Sequence, residues 1–166
     1  VDSGQFDDTY VFGACGAASA YRRSMLDKVG LLDEEFQFSC EDVDISWRAQ
    51  LAGYKCVFAH DAIVYHKVSA TGGGVLNSYY DGRNAIWLLV KDVPAEVLRA
   101  HAGEIIREQL RITRDAIRAW RGQAARNRLK GQLAGLLGVP KMLLRRRAIQ
   151  RSRVISKDEV LALLSP

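Results

Sequence analysis

Three carboxylates, Glu41, Asp42 and Asp44, fall inside the run Cys40-Glu-Asp-Val-Asp-Ile-Ser-Trp-Arg48. Acids at that density, at the start of a helical pattern, admit two readings. In the structural one they complement the positive end of a helix and stabilise it by a few tenths to about 1 kcal/mol. Asp44 and Arg48 then pair at i,i+4, and Val43, Trp47 and Leu51 form the core-facing stripe. In the chemical one, a carboxylate on a rigid element is a general base aimed into a cleft, with a neighbouring charge to tune it. Glu41 and Asp42 can divide that work, one binding substrate and the other taking a proton. The residue types alone do not say which.

A second group follows downstream. Val64-Tyr65-His66 ends an apolar run directly before Lys67-Val-Ser-Ala-Thr-Gly-Gly-Gly74. A histidine at a strand end beside a loop suits a metal ligand, and equally a hydrogen-bonded structural role. The hydroxyls of Ser69 and Thr71, with the backbone N–H groups of the glycines, suit a phosphate.

The elements that must position these residues are short in the first half of the chain. Gly13 to Ala20 is rich in small residues, so backbone can approach backbone or ligand closely there. The pattern predicts a helix from Arg22 to Val29 closed by Gly30, and a second from about Glu41 to Ala52 closed by Gly53. Ser39 and Asp42 read as a capping box for the second helix, with Asp in place of the usual Glu or Gln. Tyr54–Ala59 and Ala62–His66 read as strands around His60-Asp61. The second half reads as helical: Tyr79–Lys91 with a stripe through Ile86, Leu89 and Val90, then a long pattern opened by Pro94. A further stretch, Leu129–Leu144, is interrupted by Gly131, Gly135, Gly138 and Pro140. Ser156-Lys-Asp-Glu159 is a capping box for a last helix ending at Leu164.

Charge divides along the same line. Residues 1–91 carry 8 Lys/Arg and 12 Asp/Glu, residues 92–166 carry 16 and 7, and the whole chain of 166 residues has a net charge of +5. The acidic part is where chemistry is expected, and the basic part is expected to meet something anionic. Amphipathic basic helices over 95–155 suit an anionic membrane surface as well as they suit solvated packing. A nucleic-acid partner is disfavoured, because no zinc finger, helix-turn-helix signature or aromatic stacking motif accompanies the arginines. Three cysteines without CxxC spacing argue against a disulfide scaffold or a zinc ribbon. No apolar run approaches the roughly 20 residues of a membrane span. The chain begins at Val1 rather than Met, and reads as a piece of something longer.

Several runs together carry a family resemblance: Gly13-Ala-Cys-Gly-Ala-Ala-Ser-Ala-Tyr-Arg-Arg23, Val29-Gly-Leu-Leu-Asp-Glu-Glu-Phe36, Glu41-Asp-Val-Asp-Ile-Ser-Trp-Arg48, Ala52-Gly-Tyr54 and Val64-Tyr-His66. In that order they are similar to family 2 glycosyltransferases, and in particular to a bacterial rhamnosyltransferase-like branch. The resemblance covers roughly residues 10–92. It implies an α/β fold: residues 1–92 as the acceptor-side half of a GT-A mixed-sheet domain, and 93–166 as a basic helical segment. It implies that Asp42 is the catalytic base of an inverting transfer, deprotonating an acceptor hydroxyl that attacks a nucleotide sugar. Glu41, Trp47, Ser69, Thr71 and Arg83 would belong to the substrate-binding set, Trp47 by packing the helix beneath it. His66 would complete the coordination of Mn²⁺ or Mg²⁺ at the donor diphosphate. The acceptor would be a glycan or a lipid-linked sugar, met in the cytoplasm or at the inner face of the cell membrane.

One departure bears on activity. The Asp-x-Asp nucleotide motif of such enzymes would lie before Val1, while Asp42-Val-Asp44 occupies the later catalytic motif. The stretch alone is therefore expected to be inactive. The rival expectations are a non-catalytic, membrane-associated helical module, and a metal-dependent hydrolase built on Asp42 and His66 with His60 and Asp61 as spare ligands.

Overall fold

The computed structural model describes residues 10–66 and 74–164. Along the chain run β1 (Tyr10–Val11), α1 (Arg23–Val29), α2 (Glu41–Leu51), β2 (Cys56–Val57), α3 (Val75–Lys91), α4 (Ala95–Ala100), α5 (Ala102–Arg118), α6 (Gln123–Leu137), α7 (Val139–Arg151) and α8 (Lys157–Ala162). The expected mixed sheet is seen only as an antiparallel pair, Tyr10 opposite Val57 and Val11 opposite Cys56. Strand pairing stops there within 54–59. Residues 62–66 make no ladder, and Ile63, Val64 and Tyr65 are exposed. A strand needs a neighbour to take its backbone hydrogen bonds, and no described residue supplies one.

Local physics explains the helix ends. Gly30 and Gly53 take φ of +87° and +81°, the left-handed turn that closes α1 and follows α2. The capping box expected at Ser39 does not form. Cys40 occupies the N-cap with φ +69° and no side-chain cap, and the Ser39 hydroxyl turns away to Asp81. The box at Ser156 does form, with Glu159 N donating to the hydroxyl and Ser156 N to the Glu159 carboxylate. The pattern opened by Pro94 breaks at His101 into α4 and α5.

The glycines of the second half do not interrupt α6. They let it approach α3: a Cβ at Gly82 would stand 2.6 Å from Arg128 O, and one at Gly131 would run into Tyr79 O. At Gly138, between α6 and α7, the added atom would strike the Trp87 indole. The core lies on both sides of α3. One cluster gathers Trp47, Leu51, Val93, Val97 and Val160, with Val43 partly buried against it, and the other gathers Phe36, Trp87 and Met142. The predicted α2 stripe of Val43, Trp47 and Leu51 is therefore the inward face, while α3 buries Trp87 rather than Ile86, Leu89 or Val90 most deeply.

Candidate functional site

Asp42 sits in the first turn of α2, half-buried. Its Oδ2 accepts the backbone N–H of Gly16 at 2.9 Å and its Oδ1 that of Val43 at 2.8 Å. Two amides thus fix the plane of the carboxylate. Glu41 lies beside it, with Oε2 buried and without a hydrogen-bond partner. The small-residue segment 13–16 is pressed onto both. A Cβ at Gly16 would come within 3.3 Å of Glu41 Oε1 and 3.5 Å of Asp42 Oδ2, and one at Gly13 would collide with Ser46. Gln50 holds the same segment by donating to Phe12 O at 2.8 Å. Trp47 is buried beneath, edge-on to Phe12 with ring centroids 4.8 Å apart.

The loop that delivers the chain to Glu41 is strained. Gln37, Ser39 and Cys40 all have positive φ, at +53°, +72° and +69°, a region non-glycine residues rarely occupy. Side chains of α3 hold it there. The Asn84 amide, fully buried, donates to Phe36 O at 2.8 Å, Phe38 O at 2.9 Å and Ser39 O at 2.7 Å. Arg83 donates to Glu35 O at 2.6 Å, and its guanidinium stacks on Trp87 and Tyr80 at 4.3 and 4.9 Å from their centroids. Asp81 accepts from the Ser39 hydroxyl at 2.6 Å and pairs with Arg128 of α6 at 3.0 Å. Arg83, expected among substrate contacts, thus directs its guanidinium to the loop that presents Glu41 and Asp42.

Below the site lies a buried charge network. Asp44 accepts from Arg48 and from Lys91, so the predicted i,i+4 pair exists and gains a second cation. Lys91 also bonds Asp33 at 2.7 Å, which Arg145 reaches at 2.7 Å. Burial pushes the Asp33 carboxyl up, but the Lys91 ammonium, the Glu35 N–H and Arg145 outweigh it and hold the pKa at about 2. Asp92 is the opposite case. Neither of its oxygens accepts a hydrogen bond. Burial first, then the negative charge of Asp44 and a hydrogen bond to it, raises its pKa to about 9.

The remaining predicted residues are not gathered here. His66 is exposed at the end of the described stretch, and Ser69 and Thr71 lie outside the described residues. No group of three or more His, Cys, Asp or Glu suited to a metal ion occurs among the described residues.

The carboxylate pair lies under the small-residue segment, and the sequence around it has a counterpart. Residues 6–127 match glycosyl transferase family group 2. The chain belongs to that family. No curated protein and no solved structure matches it. Membership of glycosyl transferase family group 2 points to a glycosyl-transfer function. Two residues important to the site carry little signal from the residues alone. Asn84 and Asp92 are single polar letters in an apolar helical stretch. The clue available was the polar run Asp81-Gly-Arg-Asn84 interrupting the inward face of α3.

Proposed function

We propose that this chain is the acceptor-side part, residues 1–92 with a basic helical segment over 93–166, of an inverting transferase that moves a hexose or deoxyhexose from a nucleotide sugar to a glycan or lipid-linked acceptor. Asp42 is the general base. It accepts the proton of an acceptor hydroxyl as that oxygen attacks the anomeric carbon, and the nucleoside diphosphate leaves from the opposite face. A base needs a fixed direction and an open lone pair. The observation that carries the reading is the Asp42 carboxylate, oriented by the Gly16 and Val43 amides under the small-residue segment. Glu41, with a buried oxygen lacking a partner, has capacity to take a second acceptor hydroxyl. A rhamnosyl-type donor is the sugar the sequence resemblance favours. Mn²⁺ or Mg²⁺ belongs to the same reading, with His66 offering one ligand atom, and no step here is routed through it. The same reading puts the reaction in the cytoplasm or at the inner face of the cell membrane.

The test is turnover of the longest reading frame containing this chain, assayed on a panel of nucleotide sugars with Mn²⁺ present. Asp42→Asn should lower kcat by about 10²–10⁴-fold, the usual contribution of a general base, with donor affinity unchanged. His66→Ala should weaken Mn²⁺ binding in a direct titration. A parent enzyme that turns over equally well with Asn at 42 removes the base assignment.

A further inference from the structure

α5 is the most strongly amphipathic helix of the chain, yet much of its apolar face has no cover. Ile106, Leu110 and Ile117 are 59%, 65% and 56% exposed, and Trp120, just past the helix end, is 59% exposed. At 100° per residue Ile106, Leu110 and Ile117 fall within one narrow arc, and Trp120 follows just beyond it. Thr113 lies in the same arc and accepts a hydrogen bond from Gln132 of α6 at 2.9 Å. That bond sets the α5 stripe beside the outward face of α6, where Leu133 and Leu136 are 59% and 60% exposed. α6 meets α3 through Gly131 and Gly135 on its other side. The two helices therefore present one apolar surface.

The rim of this surface is cationic on one side. Arg107, Arg114 and Arg118 flank the stripe, are exposed, and carry no ion pair among the described residues. Arg111, on the same side of α5 but farther from the stripe, is neutralised by Glu108 and Asp115 at 2.5 and 3.1 Å. The acids of α5 thus stand opposite the stripe, and the arginines lie between the two. An apolar stripe edged by arginines, with a tryptophan at its end, matches a helix lying in the headgroup plane of an anionic bilayer. A second copy of the chain is a poorer occupant, since a shared face would bring the same cations together. Nucleic acid would leave the leucines and isoleucines without a partner.

We propose that the α5–α6 surface docks the protein on an anionic lipid membrane, with Ile106, Leu110, Ile117 and Trp120 entering the interface and Arg107, Arg114 and Arg118 meeting lipid phosphates. Asp81 ties α6 to the loop that leads into Glu41 and Asp42, through Arg128 and Ser39. Docking therefore holds the site at a fixed station relative to the lipid surface, where a lipid-linked acceptor displays its sugar. Only that purpose rests on the transferase reading. The docking itself is measured without donor, acceptor or turnover, so either idea can fail alone.

The full-length protein is mixed with vesicles of phosphatidylglycerol and phosphatidylcholine, or of phosphatidylcholine alone, and binding is read by co-sedimentation and tryptophan emission. Trp47 and Trp87 are buried, so a blue shift on anionic vesicles that disappears in Trp120→Phe reports Trp120 itself. The expected result is binding that falls with salt and requires phosphatidylglycerol. Leu110→Glu with Ile117→Glu should weaken partitioning by about tenfold or more. Each of Arg107→Gln, Arg114→Gln and Arg118→Gln should weaken it about fivefold at low ionic strength. All five positions are exposed, and the circular dichroism of each variant confirms the fold. Equal binding to both vesicle types, variants that bind like the parent, or an unshifted Trp120 would overturn the proposal. So would a concentration-dependent dimer that the Leu110 and Ile117 changes abolish, or preferential binding to duplex DNA.

Discussion

Asp42 keeps its orientation because its two oxygens take amide protons from different parts of the chain, one of them from 26 residues upstream at Gly16. Asn84 plays the matching part under the loop. Replacing it with Ala removes a buried donor from Phe36 O, Phe38 O and Ser39 O, of which Phe36 O keeps a longer bond from Arg83. Such loss costs about 1–3 kcal/mol, the range for removing a buried hydrogen-bonding partner. Denaturant unfolding should show that drop, and Asn84→Asp should be at least as damaging because a carboxylate cannot donate. Asp92 gives a pH signature. Its folded pKa, about 9, stands above the ordinary 3.8, so the native state holds a proton that the unfolded chain releases. Stability from this group is whole below about pH 4 and is lost as pH rises toward 9. Asp33 acts in the other direction, its contribution lost as pH falls from about 4 to about 2. Asp92→Asn should flatten the alkaline side of the profile, narrowing the pH 5 to pH 8 difference by more than about 1 kcal/mol. Thermal unfolding across that range measures it.

At the level of elements, α3 is the organiser. Its glycine-bearing face takes α6, and its polar run takes the loop before α2. Gly82→Ala places a methyl against the Arg128 carbonyl. Backbone cannot yield as a flexible side chain does, so a loss of about 1–3 kcal/mol is expected. If Gly82→Ala leaves the denaturation midpoint unchanged, the close α3–α6 approach is not needed. Gly103, whose Cβ would meet nothing within 4 Å, is the matched control, and Ala there should stabilise the α5 helix slightly.

Across the whole molecule, the acidic and basic parts are joined by charge as well as by packing. Asp33 and Glu35 face Lys91, Lys141 and Arg145, so residues from the first turn-rich segment and from α7 share one network. Phe36 from the acidic part is buried with Met142 from the basic part. The family match likewise runs past residue 92 to 127. A peptide of residues 10–92 alone should therefore lack cooperative unfolding, because α3 loses the partners on both its faces. Differential scanning calorimetry would show a broad, low-enthalpy transition, and a sharp one would mean that the first part folds by itself.

What the sequence alone determined is what short-range chemistry dictates. Glycines after α1 and α2, the Ser156–Glu159 box, the Asp44–Arg48 pair and the inward Val43-Trp47-Leu51 stripe all follow from spacing within a few residues. The Glu41-Asp42 pair was legible for the same reason. What only the tertiary structure decided depends on distant partners. Ser39 caps nothing locally because Asp81, 42 residues on, binds its hydroxyl. Gly131 and Gly135 read as breaks but serve as contact points, because the helix they sit in has α3 against it. Residues 62–66 have the composition of a strand without a described neighbour to pair with. A strand is a property of two segments, and composition speaks for one.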